Sequence, residues 1–184
     1  MNRISIPSVE QSHAASQPLL AAVQQQLGVV PNLMKVIGHS PAALEGYLSL
    51  NGALNKGKLP AALRERIALA VAEYNGCDYC LSAHSYLGQH VAKLSAAEIA
   101  AARDHHSADA RSAAALQFAF LVASKRGNIS DAELATLRAA GFDEAETIEL
   151  VLLVALNVLT NYVNNVVRTS IDFPVVTAGQ FTAA

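Results

Sequence analysis

The stretch Ile67-Ala68-Leu69-Ala70-Val71-Ala72 is apolar at every position, and Asn75-Gly76 follows it almost at once. A helix that is apolar on nearly every side is a buried one. The segment therefore predicts a helix from Ala61 to Tyr74 packed inside the fold, with Arg64, Glu65 and Arg66 at its charged start. Asn and Gly both tolerate the left-handed conformation of a helix end. A second helix is expected to begin at or just before Cys77 and to run to about Gln89, folding back on the first.

The rest of the chain carries the same kind of punctuation. Gln17 to Leu27 reads as a helix stopped by Gly28, and Pro31-Asn32 opens a short one to Ile37. Ser40-Pro41 is a cap followed by a first-turn proline, opening a helix from Ala42 to about Asn55. Lys56-Gly57-Lys58 ends that helix and Pro60 starts the next. Ser95-Ala96-Ala97-Glu98 has the form of a capping box. Helices from about Asp109 to Lys125, Ser130 to Ala140 and Glu144 to Val167 complete the pattern. No strand-like alternation stands out, so the fold class is all-α. Residues 1–13 read as an extended arm whose Ile4, Ile6 and Val9 can lie on a surface, and residues 1–184 as one domain. An offset of 83 residues aligns Val71-Ala72 with Val154-Ala155 and Tyr79 with Tyr162, which suggests a faint helical-hairpin repeat.

Composition narrows the function classes. The chain is 52% hydrophobic and 15% charged, which excludes general disorder. So apolar a set of helices points to surface buried between subunits. A formal net charge of −2 gives no basic footprint for nucleic acid. The N-terminus has no apolar signal-peptide core. The apolar run Leu150 to Leu156 is too short to span a bilayer. The expected location is cytoplasmic, where a close cysteine pair is more often catalytic or metal-binding than structural.

The only two cysteines are Cys77 and Cys80, three residues apart, with His84 four residues further on. On a helix these spacings share a face. At a helix start, unpaired N–H groups and the macrodipole stabilise a thiolate, and the thiolate is the reactive form. A thiolate that attacks a peroxide becomes a sulfenic acid, and a neighbouring thiol closes it to a disulfide. Helical rise puts Glu65 roughly 16 Å and His84 roughly 12 Å from the intervening turn, so the two can meet. A carboxylate on His84 orients the ring as a proton relay for the thiols. Glu73, nearer the turn, is also within range of Cys80, although a solvated charge is the expected reading for it.

Other readings stay open at this point. A structural zinc site could use Cys77, Cys80 and His84 with a fourth ligand. The cysteines could be two inert core residues, and Glu65 an ordinary surface charge. Asn157, Asn161 and Asn165 form an i, i+4, i+8 stripe that could donate hydrogen bonds into the site, although interhelical or interface bonding is the expected reading. His13, His39, His90, His105 and His106 read as surface residues. Nothing in the pattern calls for an organic cofactor.

The string from Glu65 through Asn75-Gly76-Cys77-Asp78-Tyr79-Cys80 to His84 resembles the AhpD-like alkylhydroperoxidases, specifically the peroxidase-related branch of the carboxymuconolactone decarboxylase superfamily. The resemblance is strong over about Pro41 to Gly88. It implies an all-helical homo-oligomer, commonly a trimer or hexamer, that reduces hydroperoxides through a reversible disulfide. It further implies that Cys80 is the peroxidatic thiol, Cys77 the resolving thiol, and Glu65 with His84 the relay. The implied reductant is a dithiol protein, either a lipoyl domain or a thioredoxin-like protein. In the best-known AhpD peroxidases a His directly precedes the second cysteine, and here that residue is Tyr79. A redox-sensing or partner-binding oligomer without turnover is the alternative.

Overall fold

The computed structural model describes residues 2–179. Met1, the first residue of the expected arm, and residues 180–184 lie outside the described residues. Among the described residues there are nine α-helices: α1 (Gln17–Leu27), α2 (Asn32–Ile37), α3 (Pro41–Leu54), α4 (Ala61–Tyr74), α5 (Asp78–His90), α6 (Ala96–Arg103), α7 (Ala110–Ser124), α8 (Asp131–Ala139) and α9 (Glu144–Val167). The all-α expectation holds, and the sequence signals set most of the boundaries. Gly28 ends α1 in the left-handed conformation at φ +76°. Ser40 caps α3, its hydroxyl accepting from Ala43 N at 3.3 Å. The Ser95–Glu98 capping box closes in both directions, and the same device recurs at Ser130–Glu133 and Asp143–Glu146.

The apolar α4 is the centre of the fold. It packs against α5, α6, α7 and α9. Ile67, Leu69 and Val71 are sealed from solvent, and the small Ala68, Ala70 and Ala72 let neighbouring helices approach closely. Each large side chain so buried contributes about 1.5–3 kcal/mol of transfer free energy. One expectation for α4 is overturned. Glu73 is not solvated but 4% exposed, and its carboxylate takes Arg103 Nε at 2.6 Å and Gly179 N at 2.6 Å. A buried carboxylate needs such partners.

The segment after α9 crosses the start of α5 as a strap. Asp172 accepts from Asn32 N at 2.8 Å, and the Phe173 ring meets Tyr79 edge-on at 5.9 Å. Val176 N donates to Ser82 Oγ at 2.9 Å, and Ala178 N donates to Asp78 Oδ1 at 2.8 Å. The N-terminal arm is irregular to Ser8 and then turns. Arg3 N donates to Val167 O at 2.7 Å, and Ser5 O is 2.8 Å from His39 Nε2.

Two more expectations change. The hairpin repeat is absent, because α9 runs unbroken through the positions that would match the Asn75-Gly76 turn. His105 is not a surface residue. It is half-buried with its ring 4.5 Å from that of Phe120, and burial lowers its pKa. By length and mean hydropathy α9 could cross a membrane. Its inner face, however, is built into the core through Leu150, Leu153, Val154 and Leu156 and carries buried Asn157, Asn161 and Asn164.

Candidate redox site

The turn between α4 and α5 places the thiol pair. Gly76 adopts φ +60°, a left-handed conformation that glycine enters freely. Cys77 N then donates back to Ala72 O at 3.0 Å, closing the end of α4. Cys77 lies one position outside the first turn expected for it. It is the N-cap of α5, and its Sγ accepts from Cys80 N at 3.2 Å. A sulfur takes the place of the usual hydroxyl or carboxylate cap. Cys77 and Cys80 are joined as a disulfide with their Cα atoms 5.3 Å apart. Cys77 is fully buried and Cys80 is 3% exposed.

Glu65 and His84 meet as the hairpin arithmetic predicts, with His84 Nδ1 2.8 Å from Glu65 Oε2. An ionised carboxylate only accepts, so Nδ1 carries the proton in this contact and Nε2 is left for other work. Cys80, His84 and Glu65 line one pocket of about 90 Å³. Tyr47, Leu33 and Leu156 form apolar walls there, and Arg64, Asn51, Asn157 and Thr160 supply polar edges. Burial foremost, with the Glu65 charge adding, pushes the Tyr47 pKa up to about 12. Its hydroxyl is therefore a neutral donor at physiological pH.

Tyr79, between the cysteines, is engaged elsewhere. Its hydroxyl accepts from Leu33 N at 3.1 Å, and burial, with the Asp172 carboxylate adding, holds the phenol well above its ordinary pKa. The residue anchors α5 to α2 and to the strap.

The sequence reading missed Asn164. From α9 its Nδ2 donates to Cys80 Sγ at 3.3 Å, and the side chain is 3% exposed. The expected stripe divides. Asn157 Nδ2 bonds to Leu153 O at 2.8 Å on its own helix, while Asn161 Oδ1 accepts from Asn75 Nδ2 at 2.8 Å. The exposed Asn165 donates to Asn75 O at 3.0 Å. Three asparagines of α9 thus hold the turn and the second sulfur. Spacing does contain the signal. Residues seven apart differ by only about 20° around a helix, so Asn164 shares the face of Asn157 better than Asn165 does.

The zinc reading finds no cluster. Among the described residues no group of three or more His, Cys, Asp or Glu side chains converges as a metal site. The disulfide also leaves neither sulfur as a thiolate ligand.

Residues 41–125 match the model of the carboxymuconolactone decarboxylase family. Over that segment the chain is similar to the carboxymuconolactone decarboxylase family. The matched segment runs from the first turn of α3 to the end of α7 and holds the whole Glu65–Cys77–Cys80–His84 arrangement. Beyond that segment the likeness is one of fold. An alkylhydroperoxidase AhpD core, an uncharacterized peroxidase-related protein from Ralstonia eutropha JMP134, superposes with a TM-score of 0.82 at 24% identity, covering 93% of this chain and 92% of that one. An uncharacterized peroxidase-related protein from Silicibacter sp. TM1040 gives 0.80 at 22% identity, covering 92% and 91%. The debrominase Bmp8, in a variant crystallised with 2,3,4-tribromopyrrole, gives 0.74 at 22% identity, covering 86% of each chain. The fold is AhpD-like, with the cysteine pair at the start of a helix. No curated protein matches the chain.

Proposed function

We propose that this protein is a thiol-dependent peroxidase that reduces small hydroperoxides through the Cys77–Cys80 pair. The observation that carries the reading is the closed disulfide beside a Glu65–His84 hydrogen bond in one pocket. In the reduced protein His84 Nε2 takes the Cys80 thiol proton, and the thiolate attacks the terminal, hydrogen-bearing oxygen of the hydroperoxide. The S–O bond forms, the O–O bond breaks, and the leaving alkoxide takes a proton from His84. Cys77 then attacks the sulfenic sulfur, the S–S bond forms, the S–O bond breaks, and hydroxide leaves as water with the proton released by the Cys77 thiol. A dithiol donor restores both thiols by exchange and leaves as its own disulfide. Glu65 holds the His84 ring with Nε2 toward the pocket, so one imidazole serves both proton transfers.

Cys80 is assigned as the attacking sulfur because it lines the pocket and has His84 one turn along the same helix face. Cys77 is sealed and capped, which suits the resolving role. A narrow pocket with apolar walls fits a small alkyl hydroperoxide. The physiological reductant is a lipoyl-domain or thioredoxin-like dithiol protein, the location is cytoplasmic, and the role is antioxidant defence.

The debrominase relative raises a second substrate class, a small halogenated heteroaromatic compound, and the half-buried Tyr47 wall offers a ring-stacking surface. One assay separates these readings from a sensor without turnover. The reduced protein is given excess dithiothreitol with either cumene hydroperoxide or 2,3,4-tribromopyrrole. Multiple turnovers of the hydroperoxide, lost in Cys80→Ser, are the expected result. Turnover only of the bromopyrrole would replace the peroxidase reading. Closure of the disulfide without turnover of either would leave a sensor.

A further inference from the structure

Arg64, Arg66, Arg103 and Arg111 are the half-buried arginines of this chain. Three of them are neutralised by a carboxylate. Arg66 pairs with Glu98 at 2.6 Å, Arg103 with Glu73 at 2.6 Å and Arg111 with Glu146 at 2.7 Å. Arg64 is the exception. It lines the Cys80 pocket and has no ion pair among the described residues. Its guanidinium makes one hydrogen bond, from Nη1 to Leu59 O at 2.5 Å. A guanidinium carries five N–H donors, so Nε and Nη2 are left without a partner among the described residues. Glu65, next in the chain, does not serve it, because that carboxylate is turned to His84 Nδ1. A charge drawn out of water calls for a partner, and the fold supplies none here.

Two further donors line the same pocket. Asn51 and Asn55 stand four residues apart at the end of α3, on one side of the helix. Neither side-chain amide has a hydrogen-bond partner among the described residues. Arg64 is the permanent cation of the pocket and Glu65 its carboxylate, already engaged. A guanidinium fork flanked by amide N–H groups is a donor set for a carboxylate, which accepts at two oxygens.

We infer that Arg64, with Asn51 and Asn55, binds a carboxylate of the substrate, so that the compound reduced at Cys80 is a small hydroperoxy acid. This rests on the peroxidase reading and narrows its substrate class. The pocket is only about 90 Å³, so the carboxylate and the hydroperoxide belong to one short skeleton. Leu33 and Leu156 enclose its carbon atoms. A carboxylate fixed at Arg64 orients the terminal oxygen against Cys80, which a methyl group in its place does not do. The bonds made and broken are those of the peroxidase reaction, with none added.

The test uses compounds of equal shape and different charge. 3-Hydroxy-3-methylbutanoate, the alcohol that reduction of such a substrate yields, and its carboxamide are titrated calorimetrically into the oxidised full chain. The acid is expected to bind about ten-fold tighter than the amide. Arg64→Gln is expected to remove that difference, and Arg64→Lys to retain part of it, since Lys keeps the charge and loses the fork. The corresponding hydroperoxides are then compared by kcat/KM with reduced protein and excess dithiothreitol. The same preference for the acid is expected, and the same loss in Arg64→Gln. Equal affinity for acid and amide in the unsubstituted chain overturns the inference, and that comparison needs no variant to fold. A preference that survives in folded Arg64→Gln overturns it as well. Equal turnover of both hydroperoxides removes the inferred specificity and leaves the peroxidase reading standing. Charge-selective binding without turnover of either hydroperoxide supports the carboxylate site while the peroxidase reading falls.

Discussion

The second sulfur takes a side-chain hydrogen bond from another helix. His84 lies one turn further along its own helix, and Asn164 reaches Cys80 Sγ from α9 with an N–H group. A hydrogen bond to the charged form of a group stabilises that form, so once the disulfide is reduced the amide favours the Cys80 thiolate. Among the described residues Cys77 Sγ takes the backbone N–H of Cys80 and no such side-chain donor. Asn164→Leu is therefore expected to move the pH midpoint of Cys80 alkylation by iodoacetamide upward by about one unit. The measurement uses a Cys77→Ser background. In a Cys80→Ser background the same substitution should leave the Cys77 midpoint in place. Equal shifts in both backgrounds would mean that Asn164 acts on the turn as a whole. Glu65, Cys77, Cys80 and His84 were legible from spacing, because each is set by the geometry of one helical hairpin. Spacing puts Asn164 on the face of Asn157, but its contact with the sulfur was not legible, because it comes from a helix more than eighty positions away and only tertiary packing brings the two together.

At the scale of elements, the hairpin of α4 and α5 is tied down by a polar device that hydrophobic patterning hides. Glu73 lies at the end of an apolar run, and nothing in the local sequence names Arg103 or the backbone of Gly179 as its partners. The ion pair fastens α4 to α6, and Arg103 Nη2 also donates to Thr177 O at 2.8 Å in the strap. Removing one member of a buried pair strands the other charge, at a cost on the order of 3 kcal/mol. Arg103→Met is thus expected to lower the urea midpoint clearly, while Glu73→Leu/Arg103→Met recovers most of the loss. A double variant as unstable as the single one would show that the strap contact, not the stranded carboxylate, carries the effect. Helix boundaries needed no such partners. Caps at Ser40 and Ser95 and the stop at Gly28 act within a turn of sequence, which is why they could be read directly. The supposed repeat failed for the converse reason: matching Ala, Leu and Val positions says nothing of a turn, and α9 has no Asn-Gly to make one.

On the scale of the whole molecule, α9 joins the account together. One face delivers Asn157, Thr160, Asn161 and Asn164 to the core and the site, and the opposite face exposes Ile148, Leu159 and Val166. A high apolar fraction signals surface that is covered by something, but only the folded helix separates the face that is already buried from the one that is not. The redox pair lies at the hub of this arrangement, with Cys77 sealed, Cys80 reached from a narrow pocket, and the strap closing over the start of α5. The central claim is that this pair reduces a peroxide by the sequential action of two unequal sulfurs. It is tested most directly by adding one equivalent of cumene hydroperoxide to the reduced protein and measuring alcohol formed and protein mass together. The expected result is one alcohol per chain with loss of two hydrogens and a Cys77–Cys80 linked peptide. Cys77→Ser should still yield one alcohol, with sulfenic acid trapped on Cys80, and Cys80→Ser should yield none. Alcohol formation that survives in Cys80→Ser, or no alcohol from the unsubstituted protein, would contradict the account.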